Sequence, residues 1–109
     1  MADAGVDLIG AMVGGVTSGG NVGGAATIDL SEAIRTIDAI VDALGRTGRR
    51  IPVLPHGGPL NDVAPVQEVF NRTRAMGYVT GSTGERVPTE RAVRDKIAAF
   101  KSIRRGVAP

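Results

Sequence analysis

The sequence predicts a parallel α/β protein. Three short apolar runs alternate with three amphipathic helical patterns, and a glycine-rich or Gly/Ser-rich loop leaves the end of each run. Strands alternating with helices of that kind form parallel sheets with right-handed crossovers. The expected order is βα-βα-βα, with strands near residues 6–13, 51–55 and 77–81 and helices near 29–45, 62–74 and 88–103.

The first run, Val6 to Val13, is almost uninterruptedly apolar, as a strand buried on both faces would be. The stretch Gly14 to Gly24 reads as a long loop whose glycines let backbone approach a ligand closely. Leu30, Ile34, Ile37, Val41 and Leu44 then share one helical face, with Asp29 placed to cap it and Gly45 to end it in a left-handed conformation. Burying each large side chain of such a face is worth roughly 1.5–3 kcal/mol.

The second strand, Ile51 to Pro55, carries prolines near both ends, where lost ladder donors do least harm. Asp62 caps the next helix, Pro65 sits in its first turn, and Val66, Val69, Phe70 and Thr73 form its expected inner face. Gly77 to Thr80 supplies the third strand. Pro88 opens the third helix, with Val93, Ile97, Phe100 and Ile103 as its expected inner face, and Gly106 to Pro109 is a tail.

The 109 residues make one domain, 1–109. Aromatics are only 3% of the chain, so Ile, Val, Leu and Ala must build the core. A closed (β/α)8 barrel takes eight such units over roughly 250 residues. Three units are therefore expected to be either a small open three-layer sandwich or, as the long apolar strands and apolar helix faces favour, a partial TIM barrel completed by the remaining barrel or by other copies in a homo-oligomer. No run reaches the ~18 apolar residues of a membrane span, and no signal-peptide pattern opens the chain. The absence of cysteine excludes disulfides and thiolate chemistry, and suits a cytoplasmic, reducing setting. Net charge is +2, with basic clusters at Arg46–Arg50 and Arg104-Arg105 that read as helix-end charges. A nucleic-acid partner is not expected, because a wide basic face with stacking aromatics is lacking.

Loops at strand C-termini are where parallel α/β proteins bind ligands. Three such loops occur here: Gly14 to Gly20, His56-Gly57-Gly58-Pro59, and Gly81 to Arg86. Glycine-loop N–H groups and helix N-termini attract anions, so a small phosphorylated or carboxylated metabolite is the expected ligand. A plain tight turn is the alternative. His56, the single histidine, can serve as general base or as a neutral donor to a phosphoryl or carbonyl oxygen, or it can bridge two loops structurally. Glu85 can orient His56 or accept a proton, and Arg86 can clamp an anion, unless the two lock their loop as a salt bridge. Thr17, Ser18 and Ser82 can donate to the same anion, with Gly19, Gly20, Gly57 and Gly58 contributing backbone, although loop hydroxyls often bond locally.

Taken together, these three loops resemble those of the phosphoenolpyruvate hydrolase-like, or IGPS-like, TIM-barrel family. The resemblance runs from about Gly5 to Ile103 and rests on three ordered motifs. Gly15-Val16-Thr17-Ser18-Gly19-Gly20 is similar to a Gly-Leu-Thr-Thr-Gly-Gly loop. His56-Gly57-Gly58-Pro59 matches intact, and Ser82-Thr83-Gly84-Glu85-Arg86-Val87-Pro88 is similar to a Ser-Ser-Met-Glu-Arg-Leu-Pro run. The chain departs from the family at Met12-Val13-Gly14, where a histidine beside the methionine is usual, and at Gly84, which replaces a bulkier residue.

The resemblance implies that the chain is the last three βα units of such a barrel, and a phosphoenolpyruvate- or phosphonopyruvate-type ligand. If the chain is catalytic, it implies a hydrolase- or lyase-like reaction with His56 and Glu85 as acid and base. A divalent cation such as Mg²⁺ would assist that chemistry, though the three loops hold no paired carboxylates. The alternative is a non-catalytic binding or scaffold module, or a remnant that assembles with other chains.

Overall fold

The computed structural model describes residues 1–106. It is a partial βα fold of the parallel α/β class. A 3₁₀ turn (Ala2–Ala4) precedes strand β1 (Ile9–Met12), and a short helical turn α1 (Gly20–Gly23) interrupts the first loop. Helix α2 (Leu30–Gly45), strand β2 (Val53–His56), helix α3 (Val63–Arg72) and helix α4 (Arg86–Lys101) follow. Strands β1 and β2 pair in parallel, with Ile9 opposite Val53 and Met12 opposite His56. The expected tail lies, beyond Gly106, outside the described residues.

Alternation along the strands separates two environments. Ala11, Val53 and Pro55 are buried, whereas Gly10 and Met12 on the other face are exposed. The covered face meets α2, whose Ala33, Ile34 and Ile37 join Val13, Leu60 and Val69 in one core. Leu44 joins Ala2, Ala11 and Val53 in a second. Asp29 caps α2 by accepting from the Glu32 N–H at 2.7 Å, and Asp62 caps α3 by accepting from the Val63 N–H at 2.7 Å.

Gly45 differs from its expected role. The helix continues through it, and the left-handed residue is Gly48, with φ 72°. Thr47 explains the delay, because both its hydroxyl and its N–H donate to the Leu44 carbonyl and hold the last turn together.

The third apolar run lies beside β2 without forming a regular ladder. The Met76 N–H donates to the Val53 carbonyl at 3.1 Å and the Val79 N–H to the Pro55 carbonyl at 3.2 Å. The offset between partners slips by one residue between these two bonds. Leu54 and His56 turn their backbone groups toward β1, so position 55 must serve the other edge, and proline has no N–H to donate there. Pro55, expected to do least harm at the strand's end, thus removes a bond on which a third strand would depend.

The expected inner face holds for α3 at Val66 and Val69, which pack in the core, but not at Phe70, and it does not hold for α4. Val69 is the buried residue of α3, and Phe70 is 39% exposed. In α4 the buried residue is Val87, while Val93, Ile97 and Phe100, with Ile103 just beyond the helix, are more than half exposed. The helix begins at Arg86 rather than Pro88, and from Arg91 onward every described residue is exposed. The molecule is accordingly long, with extents of 81 × 25 × 20 Å.

Candidate functional site at the strand C-terminal loops

The three loops converge. The Val13 N–H donates to the His56 carbonyl, Gly58 N–H to Gly15 carbonyl, and Ser18 N–H to Gly58 carbonyl, all at 2.9–3.1 Å. Asn61 donates from Nδ2 to Ser18 Oγ at 2.9 Å. The third loop joins through Tyr78, whose hydroxyl lies 2.9 Å from both the Leu60 carbonyl and Thr83 Oγ1. Gly57 and Gly58 have φ of 83° and 50°, and a Cβ on either would overlap the Gly15 or Val13 carbonyl oxygen. Only glycine permits the two loops to close this tightly.

A cleft of about 260 Å³ opens between them, lined by Met12, Thr17, His56, Gly57, Val79 and Ser82, among others. His56 stands at the end of β2 with its ring above Gly10, where a Cβ would lie 3.5 Å from Nε2. No hydrogen bond among the described residues holds either ring nitrogen. Met12 and Val16 supply an apolar wall and are 63% and 61% exposed. Gly15, Val16, Thr17, Gly57 and Ser82 all line this cleft, and none of their N–H groups has an acceptor among the described residues.

Of the sequence-derived candidates, Thr17, His56, Gly57 and Ser82 line the cleft, whereas Gly19, Gly20, Gly58, Glu85 and Arg86 do not. Gly58 packs beneath it, against Val13. Glu85 is exposed at the start of α4, its carbonyl accepting from the Thr89 hydroxyl at 2.6 Å, and no contact joins its carboxylate to His56. Arg86 donates to the carbonyls of Thr17 and Gly19 at 2.8 Å each, and pairs with Glu90 at 3.2 Å. It therefore braces the first loop from behind, while its Nε is buried without a partner.

Glu90 completes that brace and escaped the sequence reading, although its i,i+4 spacing from Arg86 is a recognisable helix pair. It also accepts from the Asn21 N–H at 2.7 Å. That backbone bond, more than Arg86, holds its carboxyl below the usual range, while partial burial acts the other way. The apolar wall of Met12, Val16 and Val79 escaped as well. Its signal was the strand alternation that puts Met12 on the same face as Gly10.

No group of three or more histidine and carboxylate side chains gathers among the described residues. The cleft offers one imidazole and two hydroxyls, a donor set that does not suit Mg²⁺, which is held through carboxylates.

Two parallel strands whose C-terminal loops meet around a small cleft make this a partial βα fold of the parallel α/β class. Residues 1–103 match the phosphoenolpyruvate hydrolase-like family, and the chain belongs to it. It is 36% identical over 104 residues to the ToMV susceptible protein tm-1(GCR26) of Solanum lycopersicum, covering 94% of this chain and 14% of that protein. The ToMV resistance protein Tm-1(GCR237) of the same plant gives the same identity and coverage. Protein y4pA of Sinorhizobium fredii (strain NBRC 101917 / NGR234) is 32% identical over 102 residues, 94% of this chain and 17% of its own length. The chain thus spans about a sixth or less of the relatives it matches.

Proposed function

We propose that the cleft binds a small anionic metabolite carrying a phosphate or carboxylate, of the phosphoenolpyruvate or phosphonopyruvate type. The observation that carries this reading is that Gly15, Val16, Thr17, Gly57 and Ser82 line the cleft and their N–H groups have no acceptor among the described residues. Converging backbone donors form anion sites without any cationic side chain. Thr17 and Ser82 add hydroxyl donors, and no carboxylate lines the cleft to repel the ligand. His56 donates to a phosphoryl or carbonyl oxygen from the cleft floor. The apolar wall favours a ligand with a short carbon skeleton beside its charge.

A binding role without turnover in this chain is favoured by the position of Glu85. An acid–base pair needs both groups within hydrogen-bond reach of one reacting atom, and Glu85 does not enter the cleft. Hydrolase- or lyase-like turnover would draw a second acid or base from outside these residues. The absence of cysteine accords with a cytoplasmic, reducing setting.

Calorimetric titration with phosphoenolpyruvate and with inorganic phosphate tests the proposal. Saturable binding is expected, weakened about tenfold by His56→Ala, which corresponds to ~1.4 kcal/mol. Absence of heat and of thermal shift with both ligands at millimolar concentration would remove the site.

A further inference from the structure

The first loop changes character at Thr17. From the Thr17 carbonyl onward its polar groups are taken up by the protein. The Thr17 and Gly19 carbonyls each accept from Arg86 at 2.8 Å, and the Ser18 N–H donates to the Gly58 carbonyl at 2.9 Å. The Ser18 hydroxyl accepts from Asn61 at 2.9 Å, and the Asn21 N–H donates to Glu90 at 2.7 Å. Before that point the N–H groups of Gly15, Val16 and Thr17 have no acceptor among the described residues, and these three residues line the cleft. Thr17 and Ser18, where the two halves meet, are the buried polar residues of the described chain.

The grip of Arg86 on this loop shapes its surroundings. A Cβ on Gly23 would overlap the Thr17 carbonyl oxygen and lie 2.7 Å from Arg86 Nη2. A Cβ on Gly20 would overlap Glu90 Oε2 and lie 2.6 Å from Arg86 Nη1. Both glycines thus make room for the Arg86–Glu90 pair. Arg86 commits its two Nη atoms to this fork and leaves Nε buried without a partner. An unpaired buried donor costs free energy, so the fork is not arranged for stability alone. Glu90 balances the guanidinium charge at 3.2 Å, and what the pair gives the cleft is therefore position more than charge. We infer that Arg86, seated by Glu90, is a positioning residue of the cleft: it fixes the Thr17–Ser18 peptide, so that the unpaired N–H groups of residues 15–17 are ordered before a ligand arrives. Donors arranged in advance bind an anion without the cost of ordering them. The inference rests on the anion-binding reading given above.

Chemical rescue of Arg86→Ala tests it. Calorimetric affinity for inorganic phosphate and for phosphoenolpyruvate, read well below the melting point, should fall by about tenfold or more, because the ligand must then order the loop itself. Millimolar guanidinium chloride, far below its denaturing range, should recover most of that loss, and methylammonium chloride should not. Gly23→Ala, which displaces the Thr17 carbonyl while Arg86 is still present, should lose affinity in the same way and gain nothing from guanidinium. Amide hydrogen exchange at Ser18 and Asn21 follows the brace with no ligand added: protection should be lost in Arg86→Ala and return with guanidinium. A merely structural role would lower the melting point and leave the low-temperature affinity as it was, and that result would overturn the inference. Unchanged exchange at both amides would overturn it equally, while leaving the anion site standing. A native chain that binds neither ligand would remove the anion site itself, and the inference with it. Should Arg86→Ala not fold, Glu90→Gln keeps the arginine and loosens its seat. That variant should weaken both ligands by a smaller factor, and native affinity in it would overturn the inference.

Discussion

Gly58 is the residue on which the candidate site turns. Its φ is 50°, and a Cβ would run into the Val13 carbonyl with Val13 C at 3.0 Å and Gly14 Cα at 3.1 Å, so neither the backbone nor a flexible side chain can yield cheaply. Gly58→Ala is expected to cost on the order of 1–3 kcal/mol, the usual range for a non-glycine held in a sparsely populated region. Urea denaturation measures the loss, and an unchanged midpoint would show that the first two loops are not locked together. Glu90 gives a prediction of different sign logic. Its carboxyl is lowered in the fold, first by the Asn21 N–H and then by Arg86. The stabilisation it contributes is therefore fully present above the ordinary carboxylate range and is lost as pH falls through its lowered value. Glu90→Gln should flatten the acid limb of stability against pH between those two points. An acid limb identical to that of the native chain would show that the Asn21 and Arg86 contacts do not form in solution.

At the scale of elements, α2 is the simplest case, because its sequence pattern and its burial agree. Leu30 opens a helix whose Ala33, Ile34, Ile37 and Leu44 are all buried. Asp29→Ala removes an acceptor from the Glu32 N–H and should cost about 1 kcal/mol, as N-cap losses commonly do. Far-UV circular dichroism through a urea titration is a sufficient readout, and a loss below a few tenths would mean that water replaces the cap without cost. The same comparison shows what was legible beforehand. The three loops could be placed because each follows an apolar run and precedes a helical period. Thr17, His56, Gly57 and Ser82 were reachable from that position alone. Glu85 and Arg86 share the third loop with Ser82 but turn out of the cleft, and only the geometry where α4 begins, two residues before Pro88, decides that. The weak third strand was legible in principle from Pro55, since ladder donors alternate between edges. Which edge the missing donor would face depends on register, and no local pattern fixes register. Amphipathic spacing in α4 correctly implied a helix, but periodicity carries no information about whether or where its apolar positions are covered.

The whole molecule shows the consequence of that last gap. A two-stranded sheet, an exposed face at Gly10 and Met12, and a helix standing clear of the body leave apolar area uncovered that a folded chain ordinarily hides. Stability in such a molecule depends on what else is present, and association then enters by mass action. If α4 finds its cover in a second copy, the folded protein is stabilised by a term that grows with protein concentration. The melting midpoint should therefore rise measurably across a hundredfold concentration series, and Phe100→Asp should remove the rise. At the lowest concentrations the variant and the native chain should melt together, because Phe100 is 61% exposed in the single chain and contributes little to its core. A variant that melts lower at every concentration would instead assign Phe100 to intramolecular packing. A native midpoint independent of concentration would mean that the two cores around Ile37 and Leu44 alone sustain the fold, with α4 as a free arm.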